Sequence, residues 1–170
     1  MRERKGFTLI ELLIVIGIIA VLMAIAIVAI NPGKQFAKAN NAKRWGDVSA
    51  VVDATAFRVI EAKGNWDTFD GANPICEALP TNGTWYPIAF DDQTDATDND
   101  NVDICDCIVD EYLGVLPIDP TDGDFGGCGS AYDTGYEIKG TLAGRITIRA
   151  KPANIQDEGT GTPTAIEVTR

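Results

Sequence analysis

The chain has 170 residues, with 14 basic and 25 acidic side chains and a formal net charge of −11 at pH 7. This length is enough for one globular domain of moderate core beside a membrane anchor. The acidic balance excludes broad nucleic-acid binding by electrostatic attraction. Histidine is absent, which removes the commonest general base and zinc ligand, so we expect no enzymatic activity.

A long apolar block lies near the N-terminus. No residue of the stretch 12–30 is charged or strongly polar, and about 18 such residues are enough to cross a bilayer as a helix. Glu11 stands just inside the N-terminal edge of the block. A carboxylate at membrane depth is a functional-site hypothesis, because leaving it unpaired is costly. A secretory signal peptide cleaved near residues 24–26 and a plain single-span anchor are the alternatives, and Glu11 fits the signal peptide poorly.

The residues that lead into this block follow a specific pattern. Lys5-Gly6-Phe7-Thr8-Leu9-Ile10-Glu11-Leu12 resembles the prepilin peptidase site of type IV pilins and of the pseudopilins of type II secretion. In that family a short basic leader ends in Gly, Phe follows, and Glu is the fifth residue of the mature chain. The resemblance implies a leader of residues 1–6, cleavage between Gly6 and Phe7, N-methylation of Phe7, and an assembly role for Glu11 and Phe7. Loss of the leader removes three basic residues and one acidic residue and brings the net charge to −13.

The pattern has a chemical rationale. Cleavage exposes a new ammonium group at Phe7, close to the membrane surface. We expect this cation to pair with Glu11 of a neighbouring subunit, where the low dielectric strengthens the attraction. The alternative is a pair within one chain, because a four-residue offset brings two groups onto one helix face. A pair between subunits would favour adding a subunit to a filament over leaving it in lipid.

Beyond the membrane half of the helix, residues 7–30, the sequence predicts an amphipathic half over residues 31–64. Asn31-Pro32-Gly33 breaks or kinks the helix, because proline lacks a donor and clashes with the preceding turn. Gly64 is available for a left-handed cap at the end. The predicted apolar stripe consists of Trp45, Val48, Val52, Ala56 and Val59. The charged residues between its members are Lys38, Lys43, Asp47, Asp53 and Arg58.

Residues 65–133 are rich in Asp, Asn, Gly, Thr and Pro, and we predict loops with one modest helix over 104–113. An acidic run at 91–103 lacks the central Gly and terminal Glu of an EF-hand, so that interpretation fails. A second acidic turn, Leu116-Pro117-Ile118-Asp119-Pro120-Thr121-Asp122-Gly123-Asp124, resembles the segment before the sheet in major pseudopilins, where the loop binds calcium. The resemblance makes Ca²⁺ the candidate cofactor, with Asp119, Asp122 and Asp124 as oxygen ligands. An ordinary Pro/Gly turn is the alternative.

Four cysteines fall in this loop-rich region: Cys76, Cys105, Cys107 and Cys128. Outside the cytoplasm an even number of cysteines argues for disulfides, with three possible pairings. Closure of Cys105 directly onto Cys107 would need a strained ring, so we expect one of the two to bond to Cys76 and the other to Cys128. A four-cysteine zinc site is the alternative, although the CxC spacing is atypical for zinc.

The C-terminal part, residues 134–170, alternates as strands do, with predicted strands at 134–139, 145–150 and 165–169. Ile146 and Ile148 face one way, with Thr147 and Arg149 opposite, so one sheet face is buried. The amphipathic half of the helix is its obvious cover. The resemblance implies an α+β pilin fold, and periodicity independently supports a helix first and strands last. In that fold, a long N-terminal helix packs on a small antiparallel sheet of three or four strands, with a disulfide-stapled loop region between them.

The resemblance implies a structural subunit of a type IV pilus or related extracellular filament, which polymerises with copies of itself through its N-terminal helix. The implied partners are the prepilin peptidase and methyltransferase, the inner-membrane assembly platform, and membrane lipid before assembly. The C-terminal domain would lie outside the cytoplasmic membrane, and the assembled filament on the cell surface. The alternatives are the major pseudopilin of a type II secretion system and a membrane-tethered extracellular binding module that does not polymerise.

Overall fold

A computed structural model describes residues 6–64, 66, 68–69, 73–74, 78–90, 101–141, 144–156 and 164–170. Two long helices come first and the main sheet comes last, with short elements between them. In chain order the elements are α1 (Leu9–Ile30), α2 (Pro32–Glu61), β1 (Thr68–Phe69), β2 (Asn73–Pro74), β3 (Tyr86–Phe90), α3 (Cys105–Ile108), β4 (Asp124–Phe125), β5 (Tyr132–Gly140), β6 (Ile146–Ala150) and β7 (Glu167–Thr169).

The long helical region is interrupted once. Asn31 separates α1 from α2 and adopts a left-handed conformation, with φ of 48°, which asparagine tolerates better than most residues. Pro32 then opens α2, where its missing N–H costs nothing because the first helical donors have no partner in the helix. The predicted break at these residues is confirmed.

The C-terminal end of α2 also follows the prediction. The helix ends at Glu61, and Lys63 and Gly64 adopt left-handed conformations, with φ of 56° and 92°. The N–H of Gly64 donates to the carbonyl of Val59 at 2.8 Å, which satisfies one of the carbonyl groups that a helix end leaves open.

The buried stripe of α2 differs from the predicted one. Buried positions recur at alternating spacings of four and three residues: Ala37, Asn41, Arg44, Val48, Val51, Thr55 and Arg58. Val48 and Val52 are buried as predicted, but Trp45 is 44% exposed, so its place in the stripe was wrong. Arg58, predicted among the charged residues between stripe members, is buried. The rest of the domain decides which face of α2 is covered, and the buried polar side chains find hydrogen-bond partners in the turn at residues 116–124, in α3 and on α2 itself.

The main sheet is antiparallel, with the order β3-β5-β6-β7 and β4 paired to β5. Helix α2 packs on β6 and β7, and the core between them contains Tyr136, Ile138 and Ile148. A helix on a small antiparallel sheet is the α+β architecture that the sequence predicted. Strands β3 and β4 come from the region predicted as loops, so the sheet has five strands rather than three or four.

The short helix α3 covers less of the chain than the predicted 104–113. It ends at Ile108 because Val109 is extended, with ψ of 146°, and Asp110 is left-handed, with φ of 71°. Cys105, Cys107 and Ile108 are nevertheless buried, so this single turn contributes to the core at the end of the domain.

Candidate functional site

Helix α1 is the only helix among the described residues that is long and apolar enough to span a membrane. It has 22 residues, and none of their side chains is buried against the rest of the chain. A signal sequence near the N-terminus can pass the same test of length and composition. The decision between these possibilities therefore rests on the residues just before the helix.

The bond between Gly6 and Phe7 lies outside the helix, which begins at Leu9. Gly6 has open space around it, since a Cβ added there would meet no atom within 4 Å. Phe7 is 88% exposed. An exposed, non-helical peptide beside a small residue is the kind of site that proteases cut.

Glu11 closes a local hydrogen-bonded ring with Thr8 at the start of α1. The N–H and hydroxyl of Thr8 donate to Oε2 of Glu11 at 2.9 and 2.7 Å, and the N–H of Glu11 donates to the Thr8 hydroxyl at 3.3 Å. This reciprocal arrangement is a capping box, which satisfies donors at the helix start. A capping box can be recognised in a sequence by the spacing Thr-x-x-Glu, which Thr8 and Glu11 have. The sequence analysis nevertheless missed this role of Thr8.

A second cluster joins α2 to the turn at residues 116–124. Arg44 donates from Nε to Oδ2 of Asp119 at 2.7 Å and from Nη2 to Oδ1 at 3.0 Å, and both side chains are completely buried. Its remaining contacts are with Oδ1 of Asn41 and Oγ1 of Thr121, each at 2.8 Å. Burial opposes ionisation of Asp119, but hydrogen bonds from Arg44 and Thr121 outweigh it and lower the carboxyl pKa below its ordinary 3.8.

Lys43, the neighbour of Arg44, contacts the same turn. Its Nζ donates to the backbone carbonyl of Ile118 and to Oδ2 of Asp47, both at 2.7 Å. The hydroxyl of Tyr136, on β5, donates to the same Asp47 oxygen at 2.7 Å. Burial and this bond to a carboxylate raise the pKa of Tyr136 well above its ordinary value. Two adjacent cations of α2 thus hold the turn against the helix, and Asp47 of the same helix binds Tyr136 of the sheet.

The three aspartates proposed from sequence as calcium ligands do not share a contact: each has a different hydrogen-bond partner or is exposed. Both oxygens of Asp119 accept hydrogen bonds from Arg44, Oδ2 of Asp122 accepts from Asn154 at 3.3 Å, and Asp124 is exposed on β4. Within the described ranges, no three acidic, cysteine or histidine residues are grouped to hold a metal ion. The residues as arranged do not fit a calcium ion.

A disulfide links Cys105, on α3, to Cys128, in the turn between β4 and β5, with Cα atoms 5.4 Å apart. The predicted bond between Cys128 and one member of the CxC pair is confirmed. Cys107 is also disulfide-bonded, and Cys76 lies outside the described residues. Because Cys105, Cys107 and Cys128 are all oxidised, the zinc alternative lacks the free thiolates that it needs.

Arg58 is the second buried arginine that the sequence reasoning missed. Its Nη1 donates to the carbonyl of Cys107 at 3.1 Å, and its guanidinium lies 5.6 Å from the ring centre of Trp66. Both Arg44 and Arg58 belong to the four-and-three spacing that begins at Ala37. A search for that spacing without regard to polarity would have placed both on the buried face.

Comparison with known families adds one finding at the N-terminus. A family described as the prokaryotic N-terminal methylation motif matches residues 1–27. The chain carries a prepilin-type N-terminal methylation motif. Together with the exposed apolar helix α1, most of which it includes, this motif fits the type IV pilin and pseudopilin family, and it implies prepilin peptidase processing and pilus assembly in general. No curated protein and no solved structure matches the chain.

Proposed function

We propose that this chain is a structural subunit of a type IV pilus or a related extracellular filament, and that it polymerises through α1. The observation that supports this most is the methylation motif of residues 1–27, which extends into a 22-residue apolar helix, Leu9–Ile30, with no buried side chain. A surface of that size does not stay in water. Lipid covers it before assembly, and helices of other copies cover it in the filament.

Processing prepares the helix for assembly. Prepilin peptidase cuts between Gly6 and Phe7, at the exposed non-helical bond, and the new Phe7 amine is methylated. The cut leaves a cation two residues before the start of α1. The capping box already holds the Glu11 carboxylate in the first turn, where its charge pairs with the Phe7 amine of a neighbouring copy.

The folded domain lies outside the cytoplasmic membrane in this account. Its disulfides support that placement, because such bonds form and persist in oxidising compartments. Proteins with this motif are generally structural, and we assign no catalytic role to the domain. The inner-membrane assembly platform is the partner that extracts the helix from lipid.

The major pseudopilin of a type II secretion system is the second candidate. The turn at residues 116–124 favours it by its sequence, whereas the geometry of that turn does not provide the calcium site of that class. The two candidates differ in whether long surface filaments contain the chain, and a tethered binding module differs from both in keeping its leader.

Immunoelectron microscopy of the native cells, with an antibody against the folded domain, tests the proposal. We expect label along filaments that extend from the surface and in the sheared fraction. Processed protein confined to the membrane fraction, with no labelled filaments, would favour the pseudopilin. Unprocessed membrane protein would contradict both filament candidates.

A further inference from the structure

We propose that the turn at residues 116–124 is held by cationic side chains of α2 in place of a bound calcium ion, so that the domain folds without a divalent metal. This inference concerns the folded domain and does not depend on whether the chain polymerises. It rests on what the oxygen atoms of the turn contact.

Arg44 occupies a position that a cation would take. Its guanidinium donates to four oxygen atoms: Oδ1 and Oδ2 of Asp119, Oδ1 of Asn41 and Oγ1 of Thr121, at 2.7–3.0 Å. Carboxylate and amide oxygens are also the ligands that calcium prefers. The planar fork matches the carboxylate in the two-pronged geometry that distinguishes arginine from a point charge.

Three further oxygen atoms of the turn also accept hydrogen bonds from N–H groups of the chain. Backbone carbonyls are common calcium ligands, but the carbonyl of Ile118 accepts from Lys43 at 2.7 Å. The carbonyl of Asp119 accepts from the N–H of Gly123 at 3.2 Å, and Asp122 accepts from Asn154. These oxygen atoms of the turn therefore have donors that the chain supplies itself.

The charges in this cluster also argue against a bound divalent cation. The guanidinium of Arg44 neutralises Asp119, and the two side chains are fully buried together. A divalent cation entering beside that guanidinium would meet repulsion in a region of low dielectric. Calcium would therefore bind there only after the arginine had moved away, and its Nη1 bond to Asn41 and its burial hold it in place.

The two cations also connect α2 to the sheet by way of the turn. Arg44 and Lys43 are adjacent on the helix that continues the chain from α1, and Asp119 lies shortly before the sheet. The N–H of Asp119 donates to the carbonyl of Thr134 on β5 at 2.8 Å. The internal cations thus connect the helix to the sheet through one loop, whatever the calcium concentration outside the cell.

The first test uses the full chain in detergent micelles, with thermal unfolding followed by near-ultraviolet circular dichroism in millimolar CaCl₂ or in EGTA. The wild type is compared with the double variant Asp122→Asn/Asp124→Asn, which removes two exposed candidate ligands and leaves Arg44 and Asp119 intact. We expect the calcium-dependent shift in Tm to be the same in both proteins. Any effect of the separate acidic run at 91–103 cancels in this comparison. A shift present in the wild type and lost in the double variant would overturn the proposal.

The second test removes the internal cation with Arg44→Ala. We expect this variant to melt below the wild type in EGTA, and calcium to raise its Tm by more than it raises that of the wild type, because the oxygen atoms have lost their cation. Equal calcium shifts in the two proteins would contradict the idea that the arginine takes the place of the metal. If Arg44→Ala does not fold, the first comparison decides alone.

Discussion

The guanidinium of Arg44 and the carboxylate of Asp119 form a two-pronged ion pair between α2 and the turn before β5, with both side chains fully buried. The partners are 75 residues apart in the sequence. Breaking a buried pair by removing one partner is strongly destabilising, because it leaves the other charge without compensation. The pair therefore joins α2 to the turn at residues 116–124 through a contact whose loss should be costly, in addition to the apolar packing of α2 on β6 and β7.

We expect Arg44→Met to lower the free energy of unfolding by about 3–5 kcal/mol, because the Asp119 carboxylate is left buried without its partner. The matched control is Asp53→Asn, which breaks the half-exposed pair between Asp53 and Arg170. That change should cost less than about 1 kcal/mol, as exposed pairs do. Chemical denaturation of the full chain in detergent measures both, and equal costs would refute the importance of the buried pair.

Acid should weaken the domain through Asp119. Since the folded-state pKa lies below the ordinary 3.8, the unfolded chain binds this proton more tightly than the folded one. The contribution is present above about pH 4 and is lost as pH falls through the folded-state pKa. We expect the wild type to lose more stability below about pH 4 than Asp119→Asn does. Chemical denaturation of both proteins at a series of pH values across that range measures the effect. If the two stability profiles run parallel, Asp119 makes no such contribution.

Two substitutions at Glu11 separate its charge from its role as a cap. Glu11→Gln keeps an oxygen that accepts from Thr8 and loses the charge, whereas Glu11→Ala loses both. We expect both variants to be cleaved at Gly6 and both to yield few filaments, because neither carries the charge that pairs with the Phe7 amine of a neighbouring subunit. Yields of sheared filaments and the processed mass give the result. Normal filaments from Glu11→Gln would mean that capping, rather than charge, is what assembly requires.

Gly6→Val should block removal of the leader, because the peptidase has to accommodate a residue without a side chain at that position. A Cβ at Gly6 meets nothing within 4 Å in this chain, so folding should be unaffected and the loss should arise at the peptidase. Gly17→Ala is the control, since that position is also open and lies within α1. The intact mass reports cleavage, and a processed Gly6→Val chain would exclude this explanation.

Local chemistry made much of the fold predictable from the sequence. The break at Asn31 and Pro32, the left-handed end at Gly64, and the alternation that gives β6 all depend on residues within one element. Strand β3 was missed because Pro87 lies inside it, and proline argues against an internal strand. In the structure β3 stands at the end of the β3-β5-β6-β7 path, with an irregular register between Pro87 and Ala89.

In the candidate site too, features set by neighbouring residues could be predicted, whereas contacts between distant residues could not. The processing motif could be identified because its eight residues are contiguous and in order. Arg44 could not be assigned to Asp119 from the sequence, because the contact joins residues that only the packed sheet brings together. The same packing changed the expected role of Asp119, from a metal ligand to the partner of an arginine.

N-terminal peptide mass spectrometry of protein sheared from the surface of the native cells tests the central claim most directly. We predict that the chain begins at Phe7, with a methylated amine, and that the sheared material is filamentous and rich in this chain. A chain that begins at Met1 would be an uncleaved anchor, and one that begins near Ile27 would have lost an ordinary signal peptide. Either result would contradict assembly through α1.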